Sequence, residues 1–203
     1  LNEYKHFFYN NKDLSCIANL DGYFEIINPQ FSKLLGYSEK ELLENQFLSF
    51  IHPDDIDATI KEVEKLKAGI IMISFINRCK KKNGDYLWFE WDVTSDNTSG
   101  KLYGIARDIT ERKITEEQLV KSEQKYRSLV EQASDPIMIT DFEGNFIDVN
   151  TSLCNTYGYT KDELLKLNIN TLIEPEQLKE RPVQFDQLAL GNKLLTDRRM
   201  IKK

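Results

Sequence analysis

A histidine followed by two adjacent carboxylates is the best arrangement in this chain for acid–base chemistry. His52, Asp54 and Asp55 lie within the segment HPDD, and a pair of carboxylates can serve as general acid and general base. The same residues precede a long helical pattern, where carboxylates are stabilised by the positive end of the helix dipole. We therefore interpret them as a helix start, with His52 as a cap or hinge, and predict no catalytic residue in this chain.

Residues for metal, disulfide or nucleotide chemistry are sparse. Cys16, Cys79 and Cys154 are odd in number and widely spaced, which favours neither a disulfide framework nor a zinc site. Only two histidines, His6 and His52, are present, so we predict no histidine-rich metal site. The sequence also contains neither a phosphate-binding G-x-x-x-x-G-K-[ST] loop nor a G-x-S-x-G nucleophile elbow. An enzymatic function is therefore not predicted.

The composition is that of a mildly acidic globular chain. The 203 residues include 27 basic and 33 acidic side chains, for a formal net charge of −6. Because a nucleic-acid-binding face must be basic, we predict no nucleic-acid partner, and we interpret the lysines at 80–82 as a solvated hairpin tip. The longest mostly apolar run, 70–76, is far shorter than the roughly 18 residues of a membrane helix. We expect a cytoplasmic piece of a longer protein, without membrane contact of its own.

One eight-residue segment occurs twice. GYSEKELL begins at Gly36 and GYTKDELL begins at Gly158. The same offset of 122 aligns other residues without a gap, among them Tyr4 with Tyr126, Gly22 with Gly144, Asn28 with Asn150, and Pro53 with Pro175. This period is too long for a solenoid repeat of roughly 20 to 50 residues. The sequence therefore predicts two copies of one domain in tandem, each with its own core.

The first copy begins with a strand pattern and continues with helices. A D-G pair at 21–22 between two β-rich runs predicts a hairpin. Asn28 is predicted to cap a helix that ends at Gly36, and Ser38 with Glu41 matches a capping box. A longer helix follows, with Ile56, Ile60, Val63 and Leu66 on one stripe.

Three further strands follow the long helix. The runs between 70 and 110 alternate in hydrophobicity, and the first two are joined by the N-G pair at 83–84, which is a hairpin signal. The order of two strands, several helices and three strands predicts an α+β fold. We expect a five-stranded antiparallel sheet with helices on one face.

The segments GYFEIINPQFSKLLGYSEKELL, FIHPDD, KKKNGDYLWFEW and GIARDITERK resemble, in order and spacing, the PAS domain with its C-terminal PAC portion. On this resemblance we place a PAS domain at 1–109, a linker helix at 110–125, and a second PAS domain at 126–203. The second copy is expected to lack its last two strands, because 194–203 matches the third strand of the first copy. The resemblance implies a sensing and dimerising module, found in sensor histidine kinases of two-component systems, diguanylate cyclases and transcription regulators.

A ligand pocket, if one exists, would lie between the inner sheet face and the helices. The predicted lining residues of the first copy are Phe47, Ile56, Ile60, Ile73, Phe75 and Trp91. The same residues would equally form a filled core, since apolar side chains at these periods usually pack against one another. The resemblance implies no cofactor: the stretches matching the flavin-binding motif lack cysteine, and the long helix lacks the histidine of haem-binding relatives. A flavin or haem sensor is the alternative, and the identity of any small-molecule ligand is open.

The linker is expected to carry the signal to an output domain of the same polypeptide. Leu119, Tyr126 and Ala133 are seven residues apart, with Leu129 in the complementary heptad position, which favours a coiled coil and a homodimer. Asp108 and Thr110 belong to the D-I-T triplet that, by the resemblance, ends the last strand and starts the helix. The alternative is a solvated helix that only spaces the two domains.

Overall fold

The computed structural model describes residues 2–185, 190 and 198–203. The chain divides into two compact units between Gln118 and Leu119. We call these units the first copy and the second copy and describe each by itself.

The first copy contains the predicted five-stranded antiparallel sheet. Its strands lie in the spatial order β2-β1-β5-β4-β3, and each neighbouring pair is antiparallel. The tight turns occur at the D-G and N-G pairs, where Gly22 has φ +93° and Gly84 has φ +98°. Such positive φ angles suit glycine, which explains why these short signals predicted the hairpins correctly. The strands are β1 Leu14–Asn19, β2 Phe24–Ile27, β3 Met72–Lys80, β4 Tyr86–Asp96 and β5 Lys101–Asp108.

Helices pack against this sheet and enclose the core. The capping box before α3 is present: the Ser38 hydroxyl accepts the Glu41 N–H, and the Glu41 carboxylate accepts the Ser38 N–H. Core residues from the sheet, such as Leu14 and Phe89, meet Phe31 and Leu42 from the helices. The helices are α1 Asn2–Asn10, α2 Gln30–Leu35, α3 Glu39–Glu44 and α4 Ile56–Lys67, with 3₁₀ turns at Phe47–Phe50 and Pro53–Asp55.

The predicted role of Asn28 as a helix cap is wrong. Pro29 occupies the N-cap position of α2, while the Asn28 side chain is buried, with 1% exposed. Its Oδ1 accepts the Ser15 N–H at 3.2 Å and its Nδ2 donates to the Asp13 carbonyl at 2.9 Å. Longer contacts of 3.4 Å reach the carbonyls of Phe8 and Asn11. Asn28 therefore ties the end of α1 to the start of β1, because this buried backbone needs partners.

The second copy repeats this arrangement over its described residues. Asn150 donates to the carbonyls of Val130 and Asp135, and here it also caps a helix by accepting the Leu153 N–H. A capping box recurs at Thr160. The described elements are β6 Met138–Thr140, β7 Phe146–Val149, α6 Thr151–Tyr157, α7 Lys161–Leu164, a 3₁₀ turn Ile169–Leu172 and α8 Pro175–Glu180.

The last strand predicted in the second copy, within 194–203, falls partly outside the described residues. Of the described part, Met200 forms an isolated bridge with Ile173. In the first copy, Ile51 forms the corresponding bridge with Cys79 of β3. The loss of two strands from the second copy stays a prediction.

The remaining helix, α5, extends from Thr110 to Gln132. It covers the predicted linker and continues into the range predicted for the second copy. Among the described residues, no helix combines the length and the apolar character needed to cross a bilayer.

Candidate functional site

An internal cavity lies between the sheet and the helices of the first copy, with a volume of about 80 Å³. Strands β1 to β5 supply one side of its wall, and α2, α4 and the segment around the first 3₁₀ turn supply the other. The lining residues are Leu14, Cys16, Ala18, Phe24, Phe31, Leu35, Phe47, Phe50, Ile51, Thr59, Val63, Leu66, Phe75, Asn77, Cys79, Trp91, Val93, Leu102 and Gly104.

Three of the six predicted pocket residues line this cavity, namely Phe47, Phe75 and Trp91. Ile56 instead packs against the neighbouring core. Ile60 and Ile73 lie outside the cavity, with 38% and 71% of their surfaces exposed.

A bulge in β3 explains the position of Ile73. The pairing with β4 shifts between Met72 and Phe75, and Ser74 has φ +52°. A bulge inserts an extra residue and breaks the alternation of a strand. Ile73 therefore does not share the inward side of Phe75, although strict alternation predicts that it should.

The orientation of α4 explains the position of Ile60. Thr59, Val63 and Leu66 line the cavity, so the inward stripe includes the residue before Ile60. Thr59 is 6% exposed, and its hydroxyl donates to the Asp55 carbonyl at 2.7 Å. A polar residue whose hydroxyl bonds within its own helix can face a core. The spacing of apolar residues alone could not identify Thr59 as a residue that faces the cavity.

Asn77 and the thiols of Cys16 and Cys79 also line the cavity, although the sequence did not predict them as lining residues. Asn77 is 2% exposed in the cavity wall, where its Oδ1 accepts the Trp91 indole N–H at 2.9 Å. Burial raises the pKa of the Cys16 thiol to about 12 and also raises that of Cys79. Both thiols are therefore protonated near neutral pH. One signal for Asn77 existed: it is a polar residue at an inward position of an alternating strand.

The carboxylates that follow His52 form an ion pair with an arginine of β3. The Arg78 guanidinium donates to both oxygens of Asp55, at 2.7 Å and 2.9 Å, and the Arg78 backbone N–H donates to the same carboxylate. His52 accepts the Asp54 N–H as the cap of the second 3₁₀ turn. The hydrogen bond from Arg78 lowers the pKa of Asp55. The arrangement joins the start of α4 to β3, and a carboxylate engaged in this way is a poor proton acceptor.

This pair makes the stability of the first copy depend on pH. Because the folded-state pKa of Asp55 lies below its ordinary value of 3.8, the unfolded chain takes up the proton first on acidification. The stabilisation is complete above about pH 5 and is lost as the pH falls below the ordinary value. We expect D55N to lower the free energy of unfolding by about 2 kcal/mol at pH 7, and the difference from the wild type to shrink towards pH 3.

The measurement is urea unfolding followed by tryptophan fluorescence, since Trp88 and Trp91 are the only tryptophans and both lie in the first copy. The exposed Asp57 on the same helix supplies the control, D57N, which should change stability by less than about 0.5 kcal/mol. A difference between D55N and wild type that is equally large at pH 7 and pH 3 would contradict the assignment.

The Trp88 ring connects the Asp55–Arg78 pair to α5. The Arg78 guanidinium carbon lies 5.2 Å from the centre of the Trp88 ring, and Lys113 Nζ lies 5.9 Å from the same ring. Such contacts are cation–π interactions. The Trp88 backbone N–H donates to the Thr110 hydroxyl, and the Trp88 backbone carbonyl accepts the Ile109 N–H, each at 2.9 Å. The first turn of α5 is therefore bonded to β4.

The predicted linker residues divide into two groups. Asp108 and Thr110 form the start of α5, where the Asp108 carboxylate accepts the Thr110 N–H at 2.9 Å. Leu119, Tyr126 and Leu129 are all exposed, by 69%, 56% and 61%. Near its other end, α5 is bonded to the second copy, where the Glu131 carboxylate accepts the N–H and the hydroxyl of Thr151.

Comparison with known proteins agrees with this architecture. Two models described as the PAS fold match residues 24–106 and 124–199. Sporulation kinase E of Bacillus subtilis is 29% identical over 182 residues, which are 87% of this chain and 24% of that protein. The probable diguanylate cyclase DgcE of Escherichia coli is 33% identical over 109 residues, which are 50% of this chain and 10% of that protein.

Among solved structures, an RNA-binding light-oxygen-voltage receptor has the same fold, with a TM-score of 0.51 and 19% identity over 61% of this chain and 37% of the receptor. The chain thus spans about a quarter or less of the two curated relatives. Strands β2 to β4, most of β5 and both capping boxes lie within the ranges that the two family matches cover, while β1 precedes the first range. The chain belongs to the PAS family and contains two PAS domains in tandem.

Proposed function

We propose that this chain is a non-catalytic input and relay module of a sensor histidine kinase. In this proposal the first copy senses a small molecule or a partner, and α5 relays the change towards an output domain of the same polypeptide. The observation that carries the proposal is the direct bonding of the first turn of α5 to β4 through Trp88 and Thr110. The match of 87% of the chain to a protein named a sporulation kinase supports the choice of output.

The contacts around Trp91 supply a physical route from the cavity to α5. Trp91 and Asn77 line the cavity, and Thr59 connects Asn77 to the carbonyl of Asp55. The Asp55 carboxylate holds Arg78, which stacks on Trp88. A molecule that enters the cavity and binds two arrangements of this wall unequally would shift the population of α5 positions.

A diguanylate cyclase output is the second candidate. The observation in its favour is the 33% identity of half of this chain to a probable diguanylate cyclase. Both outputs would use the same relay, so they differ in the identity of the output domain and not in how α5 is moved.

We further propose that the module works as a parallel homodimer through α5. Leu119 and Tyr126 are seven residues apart on α5 and both are exposed. Apolar residues at this spacing form the seam of a coiled coil. The short pattern and the polar residues Thr115 and Ser122 beside it predict weak association.

Sedimentation over a range of concentrations tests this proposal. We expect reversible dimerisation of the wild type and at least a roughly tenfold weaker association for L119K, because the substitution places charges at the dimer seam. The control Q118K adds the same charge next to the seam and should change association much less. A chain that stays monomeric at the highest concentration would exclude dimerisation through α5 for this chain.

A further inference from the structure

The cavity of the first copy has one amide group in its wall. The Asn77 side chain is 2% exposed and belongs to the lining. Its Oδ1 accepts the indole N–H of Trp91 at 2.9 Å. Because an indole nitrogen can only donate, this contact determines which end of the amide faces Trp91. The amide nitrogen Nδ2 therefore faces Thr59.

The hydrogen bonds of this wall run in one direction. Asn77 Nδ2 donates to Thr59 Oγ1 at 3.3 Å, and the Thr59 hydroxyl donates to the Asp55 carbonyl at 2.7 Å. An amide nitrogen has two hydrogens, and Thr59 is its one acceptor among the described residues. Oδ1 already accepts from Trp91 and, at 3.7 Å, from the Cys79 thiol. What the amide can still offer is an N–H donor.

The cavity wall contains no charged side chain among the described residues. None of the described residues that line the cavity is Asp, Glu, Lys, Arg or His. The buried thiols do not change this, because burial raises the pKa of Cys16 to about 12 and raises that of Cys79 as well. An ion that entered would lose its hydration without gaining a partner of opposite charge, which is strongly unfavourable.

The size of the cavity limits what can enter. Its volume of about 80 Å³ is roughly half of the ~150 Å³ that suffices for benzene in an engineered apolar cavity. By this comparison, the cavity has room for about three or four non-hydrogen atoms.

We propose that the first copy binds a small, neutral, mostly apolar molecule with one hydrogen-bond acceptor, which receives the second N–H of Asn77. Short ketones, alcohols and nitriles have this chemistry. The inference rests on the proposed sensing function and specifies the class of molecule that is sensed.

Three probes of similar shape separate the parts of this proposal. Acetone has an acceptor and no charge, isobutene lacks the acceptor, and acetate is charged. Each is titrated into the ¹⁵N- and methyl-labelled chain and followed by NMR. We expect acetone to shift the Asn77 side-chain N–H and the Trp91 indole N–H signals. Isobutene should shift methyl signals of the cavity without the hydrogen-bond shift of the Asn77 side-chain N–H, and acetate should leave all these signals unchanged.

A substitution tests the role of Asn77 itself. N77L keeps the approximate shape of the side chain and removes the donor, so acetone affinity should fall about tenfold, whereas isobutene affinity should not fall. Its control, N45L, replaces an exposed asparagine of the same copy and should leave both affinities unchanged. If N77L fails to fold, the comparison of the three probes on the wild-type chain still decides.

Three results would overturn the inference. The absence of shifts with every probe would exclude a ligand of this class. Asn77 side-chain N–H shifts of the same size and direction with acetone and isobutene would exclude the hydrogen bond, and binding of acetate would exclude the requirement for a neutral ligand. None of these results bears on the relay through α5, which insertions in that helix test separately in the full-length protein.

Discussion

Replacing Asn28 with alanine should lower the free energy of unfolding of the first copy by about 3 kcal/mol. The side chain is 1% exposed and satisfies the Ser15 N–H and the Asp13 carbonyl, with longer contacts to two more carbonyls. Its removal takes this partner from the buried Ser15 N–H and from the half-buried Asp13 carbonyl, and a buried group left unsatisfied costs about 1–3 kcal/mol. Water that enters the space would recover part of this loss.

Urea unfolding followed by tryptophan fluorescence measures this loss, because Trp88 and Trp91 both belong to the first copy. N150A supplies the matched comparison: Asn150 has the corresponding contacts in the second copy, so its substitution should leave the tryptophan transition nearly unchanged. N45A, at an exposed asparagine, should cost less than about 1 kcal/mol. A loss for N28A no larger than that for N45A would show that the buried contacts do not stabilise the fold.

Inserting one alanine after Glu116 should disrupt the regulated output of the full-length protein, whereas inserting seven residues should largely preserve it. One residue rotates the rest of a helix by about 100°, while seven return it to within about 20° of its original phase. The insertion point lies between Lys113, which contacts Trp88, and Glu131, which binds Thr151. The insertion removes neither the contact of Lys113 with Trp88 nor the hydrogen bonds of Glu131 with Thr151. The experiment therefore changes only the length of α5 and its helical phase.

For the sensor kinase proposed above as the full-length protein, the readout is autophosphorylation with and without its stimulus. A single alanine inserted after the exposed Thr98, in the turn between β4 and β5, is the control for the insertion itself and should preserve regulation. If the one-residue and seven-residue insertions in α5 gave the same output, the helix would be a passive spacer.

Local signals predicted most of the fold. The turns at Gly22 and Gly84 and the capping box at Ser38 depend on residues within four positions of one another, and the repeat at an offset of 122 supplied a second instance of the same pattern. The alternating strands predicted the five-stranded sheet. In each of these cases the physical cause is contained in a short window of sequence.

The candidate site was only partly predictable, because its polar contacts join distant residues. Asn28 looked like a helix cap because Pro29 follows it, yet its partners lie 13 to 20 positions earlier in the chain. Thr59 and Asn77 satisfy each other across 18 positions, so neither appears as a core residue when considered alone. Ile73 was misplaced because no glycine marks the bulge at Ser74.

The bulge at Ser74 also affects how molecules of this protein meet one another. β3 is the last strand in the sheet order, and a flat apolar edge strand invites pairing with other chains and aggregation. Ile51 and His52 cover part of β3 near Cys79, while Ile70, Ile71 and Ile73 are exposed near its start. Because a bulge bends and twists the strand there, the exposed isoleucines do not form a straight template for another strand. We therefore expect the irregularity that removes Ile73 from the cavity also to disfavour edge-to-edge pairing of this sheet with other chains.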